Sequence, residues 1–168
     1  MKTKMNRRGI SNVVATIILI AVAIALAVAV AVWVFGLAGS ASKTATLQVQ
    51  AVGLTGVSSG SSANLTLLVS NPSSSGIGIN GFTLGSLSCV FSTPLQIPAG
   101  TQGESIIIVL SISSGNFTGV NTIYLGGSAQ SIATTCTGRQ AAQVGVQYSG
   151  YLTTVSGQTY PFTVTASS

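Results

Sequence analysis

The sequence predicts an α+β protein, with one long hydrophobic helix at the N-terminus and an all-β domain after it. Three observations lead to this prediction. No Lys, Arg, Asp or Glu stands between Arg8 and Lys43, and nearly every side chain in that interval is apolar. From about residue 44 the composition changes to short apolar runs that are rich in Ser and Thr. Gly- and Ser-rich turn signals separate these runs, and no helical period connects them.

The apolar interval is long enough to cross a membrane as a helix, since a span needs about 20 residues. Its segment AVAIALAVAVAVWVFG, residues 21–36, alternates alanine with larger apolar residues, a period that taken alone indicates a strand. A lone strand in lipid would leave its backbone N–H and C=O groups unpaired, whereas a helix pairs them internally. We therefore predict a hydrophobic helix over residues 10–42.

On a helix, the alternating alanines fall on more than one side. Because positions two apart are separated by about 200° around the axis, small and large side chains are distributed over the whole circumference. Two series with small-xxx-small spacing result, and such series allow neighbouring helices to approach closely. They are Ala21, Ala25 and Ala29, and Ala23, Ala27 and Ala31. The simpler alternative is a lipid-facing anchor in which alanine is only filler.

Residues 43–168 are predicted to form the β domain. The strand-like runs are TLQVQAV, NLTLLVS, SIIIVLSI, AQVGVQYSG, YLTTVS and YPFTVTA. Several of them alternate apolar and polar residues, which is typical of strands with one buried face. Short strands separated by turns indicate an Ig-like β-sandwich. The continuous apolar run SIIIVLSI predicts a strand that lies at the centre of the sandwich or is buried on both faces.

The distribution of charge excludes most catalytic chemistry. The chain has no His, and Glu104 is its one side-chain carboxylate, so paired carboxylates and a Ser–His–Asp arrangement are impossible within one chain. Two Cys without His do not complete a usual zinc site. Four of the six basic residues lie in positions 1–9, which leaves no basic patch for nucleic acid on the β domain. We predict no enzymatic activity, no cofactor, no metal and no nucleic-acid partner.

The N-terminal residues resemble the class III signal of type IV pilins, in particular archaeal ones. The resemblance rests on Arg7, Arg8 and Gly9 followed directly by ISNVVATIILIAVAIALAVAV. It implies that a prepilin peptidase removes the signal peptide, residues 1–9, and that Ile10 becomes the new N-terminus. It also implies a precursor held in the cytoplasmic membrane and a homopolymer built by the pilus assembly machinery.

One position departs from the bacterial members of that family. They usually carry Glu at the fifth residue of the mature chain, where this sequence has Val14. A salt bridge from that position to a neighbouring N-terminal amine is therefore impossible. This difference points away from the bacterial subgroup, and it leaves the register between subunits to packing and to the polar residues Ser11, Asn12 and Thr16.

The resemblance implies a structural subunit of an extracellular type IV pilus filament for adhesion at the cell surface. An archaellin, the subunit of a motility filament, shares the leader and the helix and is the first alternative. The second alternative is an uncleaved, single-span, membrane-anchored surface protein that retains residues 1–9. A secretory signal cut after residues 40–42 is disfavoured, because the apolar run is roughly twice as long as such signals require.

An extracellular location favours a disulfide between the cysteines and permits glycosylation. Cys89 and Cys136 are an even pair and predict one disulfide, the alternative being two buried free thiols. Asn64 in NLT and Asn116 in NFT have the form of N-glycosylation acceptors, and the many hydroxyls also permit O-linked glycans. The sequence NPS at Asn71 is excluded as an acceptor by its proline.

Overall fold

The computed structural model of the chain describes residues 7–42 and 46–168, with side chains described for residues 11–36 and 46–168. The chain divides into two compact units, Met1–Ser42 and Lys43–Ser168. Residues 1–6 of the predicted leader lie outside the described residues, as do the side chains at positions 7–10. The cleavage between Gly9 and Ile10 and the roles of Arg7 and Arg8 therefore stay predictions.

The first unit contains one helix, α1, which runs over Arg7–Ser42. It begins before the predicted start at residue 10, because the leader continues the helical backbone without a break. Within it, Ser11–Gly36 is long and apolar enough to cross a membrane, judged by length and composition. At 1.5 Å per residue this segment reaches about 39 Å, against a hydrocarbon core of about 30 Å. A single N-terminal helix of this kind could anchor the chain in a membrane.

The second unit is an antiparallel all-β domain, so the predicted α+β class is confirmed. A short 3-10 helix, Val57–Ser59, follows the first strand. The strands are β1 (Gln48–Thr55), β2 (Ser62–Ser70), β3 (Ile77–Leu84), β4 (Leu87–Ile97), β5 (Glu104–Ser113), β6 (Asn116–Leu125), β7 (Ser128–Gln130), β8 (Thr134–Thr137), β9 (Gln140–Ala141), β10 (Gln147–Thr154) and β11 (Thr159–Thr165).

These strands form two sheets with an Ig-like arrangement. The first sheet has the order β1-β2-β5-β6-β7, with β9 also paired to β6, and the second has the order β11-β10-β3-β4-β8. In an immunoglobulin domain the first, second and fifth strands share one sheet, and the third strand shares the other sheet with the last two. Here β1, β2 and β5 take the first set of positions, and β3, β10 and β11 take the second. Strands β6 to β9 are an insertion between the two halves of that pattern.

The core lies between the sheets and is built from alternate residues of each strand. On β5 the side chains of Ile106, Ile108 and Leu110 are buried, while Ile107 and Val109 on the opposite face are half-exposed. The run SIIIVLSI therefore forms a strand at the centre of the first sheet, between β2 and β6. The alternative that it is buried on both faces is wrong, because Ile107 and Val109 on the outer face are not buried within residues 46–168.

A close backbone approach in the second sheet makes one glycine indispensable. A Cβ added to Gly150 on β10 would collide with the carbonyl oxygen of Thr83 and lie 2.9 Å from Cζ of Phe162. A Cβ added to Gly53 on β1 would have no neighbour within 4 Å. These two glycines are a matched pair, since both lie in strands and neither has a positive φ.

We expect Gly150→Ala to lower the free energy of unfolding by about 1–3 kcal/mol, because a backbone oxygen cannot rotate away from the added methyl group. Gly53→Ala should change it by less than about 0.5 kcal/mol. Thermal unfolding of the full chain in detergent micelles measures both. Equal melting temperatures for the two variants would contradict the close approach.

Candidate functional site

The apolar helix exposes large side chains on every side. From Val13 to Phe35 the large apolar residues of α1 are 48% to 77% exposed in the single chain. Lipid or other protein must cover such a surface, since a helix that is hydrophobic all round is normally buried all round. The helix is therefore the strongest candidate for an interaction site in the described residues.

The six alanines form two tracks of small side chains along this helix. The first track is Ala21, Ala25 and Ala29, and the second is Ala23, Ala27 and Ala31; all six are exposed. Within a track the residues are four apart and lie one above the other. Because the tracks are offset by about 200°, they lie on nearly opposite sides of the helix. A helix with this surface can accept a close neighbour on each of two sides.

Of the polar residues near the start of α1, Thr16 makes a side-chain hydrogen bond within the helix, and Ser11 and Asn12 make none in the part of the chain that the structure describes. The Thr16 hydroxyl donates to the backbone carbonyl of Asn12 at 2.8 Å, so its hydrogen is used within its own helix. Among the described residues, the side chains of Ser11 and Asn12 have no such partner and are exposed. Of the three residues predicted to influence register, Ser11 and Asn12 remain available to a neighbour.

The cysteines form the predicted disulfide. Cys89 on β4 and Cys136 on β8 are directly opposite each other, with an S–S distance of 2.03 Å. Strand β8 has four residues and is hydrogen-bonded as a strand to β4, at the edge of the second sheet. The bond therefore ties a short edge strand of the insertion to the sandwich across 47 positions of sequence. Disulfides of this structural kind persist in oxidising compartments.

The double variant Cys89→Ala/Cys136→Ala should lose about 2–4 kcal/mol of stability, because the unfolded chain regains the freedom that a long closed loop removes. Amide exchange should accelerate most in Thr134–Thr137, since β8 loses its covalent tie. Ser88→Ala, at the neighbouring position of β4, is the control. Identical melting curves for the reduced and oxidised wild-type chain would contradict this expectation.

The two predicted glycosylation positions lie in the first sheet. Asn64 is exposed on β2, opposite Val109 of β5. Asn116 is half-buried at the start of β6, and its Nδ2 donates to the carbonyl of Ser114 at 3.0 Å. The carboxamide of Asn64 is thus free for modification in the folded domain, whereas that of Asn116 is engaged in a hairpin turn. Glycosylation of either residue stays a prediction.

Asn71 is a structural residue whose role the sequence pattern conceals. Its side chain is 0% exposed. Nδ2 donates to the carbonyls of Ser75 at 2.9 Å and of Ile97 and Pro98 at 3.2 Å each. Oδ1 accepts from the backbone N–H and the hydroxyl of Ser73. In the sequence, NPSSSG indicates only a turn. The structure shows that the buried amide joins the loop after β2 to the loop after β4.

The β domain is almost free of ionic groups. Between residues 46 and 168 the charged side chains are Glu104 and Arg139. In the part of the chain that the structure describes, no three His, Cys, Asp or Glu residues come together as metal ligands would. The chemistry of this surface is therefore that of hydroxyls, amides and apolar groups.

This composition predicts a folded domain whose stability hardly depends on acid. Acid unfolding arises mainly when native carboxylates are forced to take protons, and the chain has one side-chain carboxylate and no His. One carboxyl contributes about 1.4 kcal/mol per unit of pKa difference between folded and unfolded states. The melting temperature should change by no more than about 5 °C between pH 2 and pH 6. A steep fall over that range, measured by circular dichroism, would contradict the prediction.

The described residues define a class of protein: one membrane-span-like helix followed by a disulfide-linked, nearly uncharged antiparallel β domain. No protein-family model matches the chain, and no curated protein matches it at a significant level. The comparisons thus assign no family. The case for a function rests on the surface of the helix, the chemistry of the β domain and the leader sequence.

Proposed function

We propose that this chain is the structural subunit of an extracellular adhesion filament, an archaeal type IV pilus, that polymerises through its N-terminal helix. The observation that carries the proposal is the helix Ser11–Gly36, which is apolar and exposed over its whole circumference. Lipid covers this surface in the precursor, and the helices of sister subunits cover it in the filament. The β domain then forms the outer layer.

The two alanine tracks support a polymer rather than a closed pair. A closed dimer uses one patch on both partners, whereas contacts between two different patches that do not close produce an open helical filament. Tracks on nearly opposite sides of α1 supply two different patches. Each helix therefore has one neighbour on the side of Ala25 and another on the side of Ala27.

The leader supplies the switch between membrane and filament. Its basic residues Lys2, Lys4, Arg7 and Arg8 hold the N-terminus on the cytoplasmic side. Cleavage by a prepilin peptidase after Gly9 removes all four cations and leaves Ile10 first. The remaining helix keeps its apolar length, and the barrier to leaving the bilayer is lower, so the assembly machinery can draw the subunit into a filament at the cell surface.

Sheared extracellular material tests the proposal directly. Electron microscopy should show filaments, and mass spectrometry of the same sample should find a chain that begins at Ile10. Cells that carry Gly9→Leu should keep the leader and form no filaments, whereas Gly36→Ala, a glycine of α1 with open space around it, should be processed normally.

The alternatives give different results in the same experiment. A chain that retains Arg7 and Arg8, stays with the membrane and forms no filament is an anchored surface protein. Filaments whose loss abolishes swimming and leaves attachment intact identify an archaellin. Either outcome overturns the proposal that the chain is the subunit of an adhesion pilus.

A further inference from the structure

A shallow trough of about 100 Å³ lies on the second sheet of the β domain. Three strands position its lining: β3, β4 and β10. The side chains around it include Asn80, Thr83, Ser88, Val90, Tyr151 and Thr153. All of them belong to one compact unit, so the trough exists in a single copy of the chain.

The depression results from a glycine in the middle of a row of side chains. Val90 pairs with Gly81, and Gly81 pairs with Thr153, so the central position of that row has no side chain. A Cβ at Gly81 would collide with the carbonyl oxygen of Cys89, which keeps this position a glycine. The neighbouring row, Ser88–Thr83–Tyr151, forms the wall of the trough.

The trough presents an aromatic side chain that the core does not use. Tyr151 is 42% exposed and Val90 is 55% exposed, although both lie in paired strands. The backbone N–H of Tyr151 donates to Oγ1 of Thr83 at 3.2 Å, so this hydrogen bond joins β10 to β3 at the residue that carries the ring. An aromatic ring held on a sheet offers a flat apolar face with a polar hydroxyl at its end.

Unused hydrogen-bonding groups line the same trough as this ring. Within residues 46–168, the carboxamide of Asn80 and the hydroxyls of Ser88 and Thr153 have no hydrogen-bond partner in the chain. Together they can both donate and accept hydrogen bonds. Neither Glu104 nor Arg139 is among the residues that line the trough. A matching ligand is uncharged, carries several hydroxyl groups and has an apolar C–H face for the ring.

We propose that this trough binds a neutral pyranose unit of a glycan. The sugar ring stacks on Tyr151 of β10 and extends across β3 toward the exposed methyl groups of Val90 on β4. Asn80 on β3, Ser88 on β4 and Thr153 on β10 hydrogen-bond the sugar hydroxyls from the three strands that line the trough. The inference is independent of filament formation, since every group that it uses belongs to one β domain.

Saturation-transfer NMR on the full chain tests the proposal. The chain is held in dodecylphosphocholine micelles, because a glycoside detergent would itself be a ligand. The probes are the methyl pyranosides of mannose, glucose and galactose, with N-acetylneuraminic acid as the charged comparison. At least one neutral pyranoside should receive saturation, and the charged sugar should not.

Variants locate the binding. Tyr151→Ala should weaken the affinity about tenfold or more through loss of the stacking face, and Tyr151→Phe should retain most of it. Asn80→Ala should weaken it several-fold. Tyr124→Ala, at a half-exposed tyrosine of the first sheet, is the control and should leave the affinity unchanged. Thermal unfolding of each variant establishes that the domain is folded.

Several outcomes would overturn the inference. No saturation transfer to any neutral pyranoside at about 10 mM is one. Equal affinity of the Tyr151→Ala variant and the wild type is another. If Tyr151→Ala abolishes filaments while no pyranoside binds, the trough is a contact between copies of the chain. If a chain that binds no sugar still forms filaments normally, the proposed function stands and only the assignment of the trough as a sugar-binding site is refuted.

Discussion

Cells that carry Ala25→Leu/Ala29→Leu should insert and process the precursor normally and assemble no filaments. Both substitutions lie on the first alanine track of α1, and both make the helix more apolar, so membrane insertion is not impaired. The expected loss is at least about a hundredfold in filament yield. Electron microscopy and immunoblotting of the sheared and membrane fractions measure it.

The physical reason is the distance of closest approach between helices. Small side chains four apart allow two backbones to pack tightly, and leucine at the same positions forces them apart. Overpacking of a close contact costs about 1–3 kcal/mol. Each substituted position lies in every contact of a homopolymer, and about 1.4 kcal/mol is a factor of ten in an equilibrium constant. Ala23→Leu/Ala27→Leu should have the same effect through the second track.

Conservative changes at the same depth provide the control. Ile24→Leu and Val28→Leu lie between the tracked alanines and exchange one large apolar residue for another, so filaments should form. If the alanine variants also assemble normally, the alternation is filler in a lipid-facing anchor, and the proposed packing is wrong. The processed chain must be present in the membrane fraction, because its presence shows that the variant was inserted and cleaved. If it is absent, insertion itself has failed.

Composition and period predict the helix and the sandwich, because both follow from local sequence. Residues 21–36 have the alternation of a strand, yet their length and lack of any ion determine that they are helical. In the β domain, alternate residues of runs such as Ser62–Ser70 face the core, as a period of two requires. The disulfide prediction needs only an even number of cysteines and an oxidising location.

The rest of the domain depends on pairings between distant segments. Nothing in the sequence near Cys136 shows that β8 joins the sheet of β4 while β7 and β9 join the other sheet. The trough likewise requires Val90, Gly81 and Thr153 to share one row, which three separate strands bring about. Asn71 has the sequence context of an exposed turn, and its burial depends on the loop that follows Ile97.

Asn71→Ala should lower the free energy of unfolding by about 2–4 kcal/mol, a larger loss than we expect for Gly150→Ala. The two N–H groups of its amide are shared among three backbone carbonyls, and its oxygen accepts from Ser73. Removal takes a buried donor from the carbonyl of Ile97, whereas the carbonyls of Pro98 and Ser75 keep donors in Thr101 and Ser73. An unpaired buried group costs about 1–3 kcal/mol, and the cavity left by the side chain adds to that cost. Asn121→Ala, at an exposed asparagine of β6, should have almost no effect.

Asn71→Asp gives the sharper test, because it should create a pH dependence in a domain that otherwise has little. The introduced carboxylate would face the carbonyl oxygens of Ser75, Ile97 and Pro98, so burial and repulsion raise its pKa in the folded state. A raised folded pKa means that the variant is most stable below about pH 4 and loses stability as the pH rises. Asn121→Asp should melt at the same temperature throughout. A variant at position 71 that is equally stable at pH 3 and pH 7 would contradict the hydrogen bonds assigned to this amide.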